Sequence, residues 1–137
     1  MKVLDATFLA DYLADVDAAT QYLEEHSSEQ FVIPAPAFAE VLVGEGNGPD
    51  ESDIEGAREA LAWAEVYPVD ERTAITAGEV AAEVGPQGPF LTGMDSVIAA
   101  VGRELGAAVV SADRDLTHPA TAAVIDVDDY TDTSRRA

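Results

Sequence analysis

Five acidic residues lie where a parallel α/β fold would bring them together. Asp5 and Asp113 follow short apolar runs that are predicted strands, Asp95 begins a predicted helix, and Glu40 lies in the first turns of another. Asp115, two residues after Asp113, is a candidate fifth member. The carboxyl ends of parallel strands and the helices that follow them meet at one edge of a sheet. We therefore expect these carboxylates to converge.

Converging carboxylates are suited to binding a metal ion. They repel one another when they lose water, and a hard cation removes that repulsion. Mg²⁺ prefers oxygen ligands and often shares its site with substrate phosphates. A cation held in this way activates water and stabilises charge on a phosphoryl oxygen. Arg114 is the one strongly basic residue beside the acids, so the metal would supply the positive charge. The pattern favours metal-assisted phosphodiester hydrolysis.

Each acid taken alone has a simpler explanation, because 27 of the 137 residues are Asp or Glu. Asp5 and Asp95 are suited to capping helices, and Asp113 and Asp115 are suited to turns. Glu40 is the hardest to explain as a cap or turn, because it lies among apolar residues on a helix. Only the set as a whole indicates a site.

The stretch from Gly93 to Leu116 is expected to position three of these acids. Its apolar residues recur at spacings of three and four, which predicts a helix with one buried face. They are Met94, Val97, Ile98, Val101 and Leu105. Gly106 is expected to end this helix. The apolar run Ala107–Val110 predicts a buried strand that leads directly into Ser111 and Asp113.

The rest of the chain alternates short strands and helices. Strands are predicted at Lys2–Leu4, Phe31–Ile33, Glu65–Val69 and Val124–Ile125. Helices are predicted at Thr7–Ala14, Val16–His26, Pro36–Val43, Ile54–Trp63 and from Asp70 to Val84, with Ile75, Ala77 and Val80 inside the last. Gly44–Asp53 is predicted to be a loop. This order favours a parallel α/β sandwich. We expect a single domain over residues 1–137, with 126–137 a partly frayed tail that Tyr130 could anchor.

The composition indicates a cytoplasmic protein with an unusual charge. There is no Cys, no apolar run long enough for a membrane helix, and no pattern typical of a signal peptide. The net charge is −20, and Lys2 is the only lysine, yet 47% of the residues are hydrophobic. An acidic, lysine-poor surface is typical of halophilic proteins, in which salt screens self-repulsion. Docking onto a basic partner is the alternative explanation.

These segments resemble the PIN-domain nucleases, and most closely the VapC-type toxins of toxin–antitoxin pairs. The matching segments are VLDATFL with Asp5, PAFAEVLVG with Glu40 and Gly44, and MDSVIAAVGRELGAAVVSADRDL with Asp95, Asp113 and Asp115. Their order and spacing match the family along nearly the whole chain. The resemblance implies a three-layer α/β/α sandwich with a short, mostly parallel central sheet.

The resemblance also implies a function and a set of roles. The protein would be a metal-dependent endoribonuclease with Mg²⁺ or Mn²⁺, an RNA substrate, a small antitoxin partner and a homodimeric assembly. Asp5, Glu40, Asp95 and Asp113 would be catalytic, and the first, third and fourth would hold the metal. The supporting residues would be Thr7, Ser111 and Asp115.

The chain departs from the family pattern at two places. Ala6 stands directly after the first Asp, where the family usually has Thr or Ser, and Thr7 comes one residue later. The segment before Glu40 is Ile33-Pro34-Ala35-Pro36, without the usual Ser or Thr. RNA affinity normally comes from Lys and Arg, which are scarce here. Recognition would then depend on metal–phosphate bonds and RNA shape, and the antitoxin would dock in a hydrophobic groove.

The sequence also leaves other functions open. A PIN-fold RNA-processing nuclease without an antitoxin and a catalytically weak PIN-fold binding module are the alternatives. A phosphatase or receiver-type site is disfavoured, because Thr7 stands where a second Asp is needed and no lysine lies at a suitable strand end. His26 and His118 are expected at the surface and Trp63 in the core. Arg135 and Arg136 would contact RNA or nothing.

Overall fold

The fold is built on one sheet of five short parallel strands. The computed structural model describes residues 1–132. The strands are β1 (Lys2–Leu4), β2 (Phe31–Pro34), β3 (Glu65–Tyr67), β4 (Ala108–Ser111) and β5 (Val127–Asp129). Their order across the sheet is β3-β2-β1-β4-β5, and every pairing is parallel. The central strands are buried because helices cover both faces of a parallel sheet.

Within the described residues, seven α-helices connect the strands. They are α1 (Ala6–Leu13), α2 (Asp17–Glu25), α3 (Ala35–Gly46), α4 (Ile54–Ala60), α5 (Glu71–Val84), α6 (Gly93–Leu105) and α7 (Pro119–Ala122). The chain moves one way from β1 to β3 and the other way from β4 to β5. Because such crossovers are right-handed, the helices before β3 lie on one face and those after it on the other. The predicted three-layer α/β/α sandwich is confirmed.

Helix α6 brings one side of the site close to the sheet. The Thr92 side chain caps its start by accepting the N–H of Asp95 at 3.1 Å. Gly106 ends it in the left-handed conformation, with φ 59°, as the sequence predicts. Ile98 and Val101 are buried in the core. At Gly102 the helix lies so close to β4 that a Cβ would be 2.7 Å from Val109 Cγ2.

Several boundaries and side chains differ from the sequence predictions. Helix α3 continues to Gly46, three residues into the predicted loop, and the predicted strand at 65–69 ends at Tyr67. The helix predicted to reach Trp63 ends at Ala60, and the Trp63 ring is 39% exposed rather than in the core. Ile75 is 60% exposed. Trp63 lies in the turn between α4 and β3, where its ring packs edge-on against Tyr12 and Phe31. The buried face of α5 is formed by other residues, among them Ala77 and Val80.

The last strand lies later in the chain than predicted. It is Val127–Asp129, not Val124–Ile125, and it pairs with β4. Part of the segment expected to fray therefore belongs to the sheet, and Tyr130, which is 1% exposed, donates a hydrogen bond to Asp11 Oδ2 at 2.6 Å. Arg135 and Arg136 lie outside the described residues. Within residues 1–132 no helix is both long enough and apolar enough to cross a bilayer.

Candidate active site

The candidate site lies where the strand order reverses. Strands β1 and β4 are neighbours, and the connections from them run to opposite sides of the sheet. Ligands in open α/β sheets bind at such a point, beyond the carboxyl ends of the strands. Asp5 follows β1, Ser111 ends β4, and Asp113 comes two residues later. The topology thus places two predicted acids at one edge.

Asp5 is buried and accepts three hydrogen bonds. Its Oδ1 accepts the Thr7 hydroxyl at 2.7 Å and the Phe8 N–H at 3.0 Å, and its Oδ2 accepts the Ser111 hydroxyl. Burial raises the pKa of the Asp5 carboxyl, while the three hydrogen bonds favour its ionised form and the charge of Asp113 opposes it. Asp5 therefore serves both as the cap of α1 and as a fixed carboxylate.

Two hydroxyl groups tie the segments after β1 and β4 together. The Ser111 hydroxyl donates to Asp5 and accepts the N–H of Asp113 at 2.9 Å. The Thr7 hydroxyl donates to Asp5 and accepts the N–H of Ala112 at 3.0 Å. Thr7 and Ser111, both predicted to support the acids, therefore fix the position of Asp5 relative to the backbone that carries Asp113.

Asp95 lies in the first turn of α6, where Thr92 is the cap. Its own side chain is therefore not needed for capping. Partial burial, followed by the negative charges of Asp113, Asp115 and Asp5, raises the pKa of the Asp95 carboxyl to about 6. Burial and the neighbouring negative charges thus oppose ionisation of Asp95. A nearby cation would favour its ionised form.

Asp95, Asp113 and Asp115 form a carboxylate cluster, the group that we call the triad. Each contributes one carboxylate oxygen, and these oxygens lie within 4.8 Å of one another. Asp113 Oδ1 accepts the N–H of Asp115 at 2.9 Å and of Leu116 at 3.1 Å. These bonds orient Asp113. The triad is half-buried, and three oxygen donors converging on one point are the ligand type that Mg²⁺ and Mn²⁺ prefer.

A cleft of about 250 Å³ joins the triad to the other predicted acids. Its walls are Asp5, Ala6, Thr7, Glu40, Thr92, Met94, Asp95, Ile98 and Asp113. Glu40 is exposed, on a helix that packs against the core through Ala37, Phe38 and Val41. All four acids predicted to be catalytic therefore line one cleft. Asp115 is in the triad but not in the cleft wall, and Asp5 is in the wall but not in the triad.

The cleft also contains residues that the sequence analysis did not select. Thr92 and Met94 both line it. The pattern Thr92-x-x-Asp95 is a helix-start signature, so Thr92 could have been found from the sequence as the cap that frees Asp95. The apolar spacing predicts Met94 in the buried stripe, but it is 39% exposed. His118 is exposed, as predicted, whereas His26 is partly buried and stacks on Tyr22.

An apolar groove adjoins the cleft. It has a volume of about 520 Å³ and lies between α1 and α3, and its walls are Ala6, Thr7, Ala10, Leu13, Ala14, Glu40, Val41, Gly44 and Glu45. The residues common to the groove and the cleft are Ala6, Thr7 and Glu40. A molecule seated in the groove would therefore reach the mouth of the cleft.

Several solved structures share this backbone at low sequence identity. FitAcB from Neisseria gonorrhoeae is 18% identical with a TM-score of 0.78, over 95% of this chain and 98% of that chain. A toxin–antitoxin complex from Klebsiella pneumoniae is 19% identical with a TM-score of 0.76, over 95% and 98%. VapC20 of Mycobacterium tuberculosis, a sarcin–ricin loop cleaving toxin, is 15% identical with a TM-score of 0.62, over 91% and 96%. These likenesses show a common fold.

A match to a family model shows the family of this chain as well as its fold. A search of curated proteins gave no match to this sequence. The PIN domain family model matches residues 2–122. That range includes most of the chain and every acid of the cleft and the triad. The chain therefore belongs to the PIN domain family.

Proposed function

We propose that this protein is a metal-dependent endoribonuclease that hydrolyses RNA phosphodiester bonds. The observation that carries the proposal is the triad, whose carboxylate oxygens lie within 4.8 Å of one another beside a cleft that also contains Asp5 and Glu40. Membership of the PIN domain family supports nuclease activity, and the sarcin–ricin loop cleaving toxin of the same fold supports RNA as the substrate.

The residues present fit a divalent cation. Asp95 and Asp113, with Asp115 or Asp5 beside them, would hold Mg²⁺ or Mn²⁺ through carboxylate oxygens. When bound, the cation supplies positive charge that favours ionised water and stabilises the phosphoryl oxygens in the transition state. The hydrogen bonds to Asp5 and Asp113 hold both carboxylates in place before the substrate arrives, so little reorganisation is required during the reaction.

Glu40 is the residue that we assign to proton transfer. It lines the cleft but lies outside the triad, and its side chain is exposed to water. An exposed carboxylate at the cleft accepts a proton from an attacking water more readily than a carboxylate committed to a cation. Asp5, which already accepts three hydrogen bonds, has less free capacity for that task.

The nuclease would be the toxin of a toxin–antitoxin pair. The structures of similar fold include toxin–antitoxin complexes, and the apolar groove offers a place for an antitoxin segment. Its lining is mainly small apolar side chains, which favours an apolar segment, and the acids Glu40 and Glu45 at its border favour a basic residue on the partner. A segment bound there would also obstruct the cleft. A homodimer is proposed from the family resemblance alone.

The test is the cleavage of total RNA by the purified protein in molar KCl. We expect fragments in the presence of Mg²⁺ or Mn²⁺ and none after the metal is removed with EDTA. Cleavage that continues unchanged in EDTA would refute the metal-dependent mechanism. Folded protein that leaves RNA intact with either metal would refute the proposed activity.

A further inference from the structure

Phe90 is a large apolar side chain left almost wholly in water. It is 86% exposed, compared with 60% for Ile75 and 59% for Val43. Most exposed apolar side chains need no explanation. An aromatic ring that is almost fully exposed needs an explanation, because burying it would stabilise the fold by about 2 kcal/mol or more.

Phe90 is two residues before the wall of the cleft in sequence. Leu91 packs against the core. Thr92 caps α6 and lines the cleft, and Met94 also lines the cleft. Phe90 is two residues before Thr92, so their Cα atoms are at most about 7 Å apart. A Cβ at Gly85 would lie 3.6 Å from Phe90 Cε1, so part of the ring rests against the turn at the end of α5.

The charge distribution leaves few cations to bind a nucleic acid. Lys2, Arg58 and Arg103 are already paired with acids, which leaves Arg72 and Arg114 among the Lys and Arg residues of the described range 1–132. The net charge of −20 opposes an RNA backbone, and molar salt weakens any attraction to phosphates. Stacking of a base on an aromatic ring neutralises no phosphate, so that contribution does not depend on counterion release.

The form of the exposed surface favours a base over a protein partner. Gln87, Thr92 and Gly93, which are near Phe90 in sequence, are polar or small, and Leu91 packs against the core. Met94, at 39% exposed, is a second exposed apolar residue nearby in sequence. A protein interface needs a contiguous patch of about 800 Å² on each partner. One exposed ring is sufficient to stack one nucleotide.

We propose that Phe90 stacks on an unpaired RNA base and so positions the strand across the carboxylate cleft. This inference rests on the proposed function, because it takes RNA as the substrate. Phe90 is a positioning residue: it would hold the nucleotide next to the one being cleaved and would take no part in the chemistry. The preferred substrate is therefore single-stranded or looped RNA, in which bases are free to stack.

The test measures RNA binding separately from cleavage. Fluorescence anisotropy of labelled short oligouridylate and oligoadenylate would be recorded in molar KCl with Mg²⁺, using protein that carries Asp95→Asn to prevent cleavage. In that background we expect Phe90→Ala to weaken binding about tenfold. Phe90→Tyr should bind nearly as well as the parent, and the matched control Ile75→Ala should be unchanged. The slope of log Kd against log salt should not change in Phe90→Ala, because no cation has been removed.

Other results would overturn the inference. Equal binding by Phe90→Ala, no binding by the parent, or an equal loss in Ile75→Ala would each contradict stacking. A change in the molecular mass of Phe90→Ala in solution, without a change in RNA binding, would assign the ring to a protein contact. Cleavage by the unmodified protein is scored independently. If the unmodified protein cleaves RNA and Phe90→Ala does not weaken binding, only the stacking role of Phe90 is refuted. If Phe90→Ala weakens binding but the unmodified protein does not cleave RNA, only the nuclease activity is refuted.

Discussion

The carboxyl of Asp95 has a pKa near 6 because it is partly buried and faces the charge of Asp113. The pKa of Asp5 is also raised, chiefly by burial. Without a bound cation, the negative charges of the site therefore destabilise the folded state. That cost is characteristic of sites whose residues are arranged for binding or catalysis rather than for stability.

A change of pH should reveal this cost at Asp95. Its folded pKa of about 6 lies above the ordinary value of 3.8, so its contribution to stability is complete below about pH 4 and is lost as the pH rises through 6. In EDTA, Asp95→Asn should raise the melting temperature at neutral pH by a few degrees at most, since the carboxyl is partly solvated. At about pH 4 the difference should vanish. An Asn variant that melts below the wild type at neutral pH would contradict this balance.

The acids of the site could be predicted from the sequence because strand ends and helix starts are signalled locally. Asp5, Asp95 and Asp113 each follow or begin an element with a clear apolar pattern. The sequence pattern does not show which carboxylates lie next to one another. That depends on side-chain rotamers and on the turn after β4, where Asp113 accepts the N–H groups that bring Asp115 round into the triad.

At the scale of elements, the close approach of α6 to β4 connects the site to the sheet. A Cβ at Gly102 would lie 2.7 Å from Val109 Cγ2 and 3.1 Å from the Ala107 carbonyl. Helix α6 carries Asp95, and β4 leads to Asp113. Any displacement between the two elements would therefore change the distance between two members of the triad.

Replacing Gly102 should show how tight this contact is. Alanine is the better helix former by about 1 kcal/mol, yet we expect Gly102→Ala to lower the free energy of unfolding by roughly 1–3 kcal/mol, because the new methyl overpacks the interface. Gly78 of α5 is the matched control, with no atom within 4 Å of an added Cβ. Gly78→Ala should stabilise by about 0.5–1 kcal/mol. Guanidinium unfolding of both variants checks this, and similar effects at the two sites would contradict the close packing.

Strand β5 shows where prediction from pattern fails. Its sequence, Val127-Asp128-Asp129, has no apolar alternation and two acids. The structure places it in the sheet because distant groups compensate: Asp128 Oδ2 accepts bonds from Lys2 Nζ at 3.0 Å and from the Tyr22 hydroxyl at 2.8 Å. These partners are far away in sequence. By contrast, α6 was predictable because its cap, stripe and terminal glycine are all local.

At the scale of the whole molecule, charge is the dominant feature. A net charge of −20 on 137 residues destabilises the compact state through self-repulsion in dilute buffer. The halophilic interpretation of this composition remains a prediction, and it makes salt a part of the protein's stability. The same excess of acids is why we propose that a cation and an aromatic ring recognise the substrate.

Salt should therefore stabilise the fold. Between about 0.01 M and 1 M KCl the Debye length falls from about 30 Å to about 3 Å, so repulsion between surface carboxylates is largely removed. We expect the melting temperature to rise by several degrees or more over this range. Sucrose, which carries no charge, is the control for general solvent effects. A melting temperature independent of KCl, or one that rises equally with sucrose, would contradict a charge-limited fold.

The central claim, that the triad supports metal-dependent RNA cleavage, is tested most directly by one pair of variants in one assay. Asp95→Asn and Asp126→Asn each remove one negative charge, but Asp126 is exposed and lies outside the triad and the cleft. In molar KCl with Mn²⁺, Asp126→Asn should cleave RNA as the wild type does. Asp95→Asn should lose at least about a hundredfold in rate, as expected when a group that stabilises the transition state is removed. Equal cleavage by the two variants would contradict the claim.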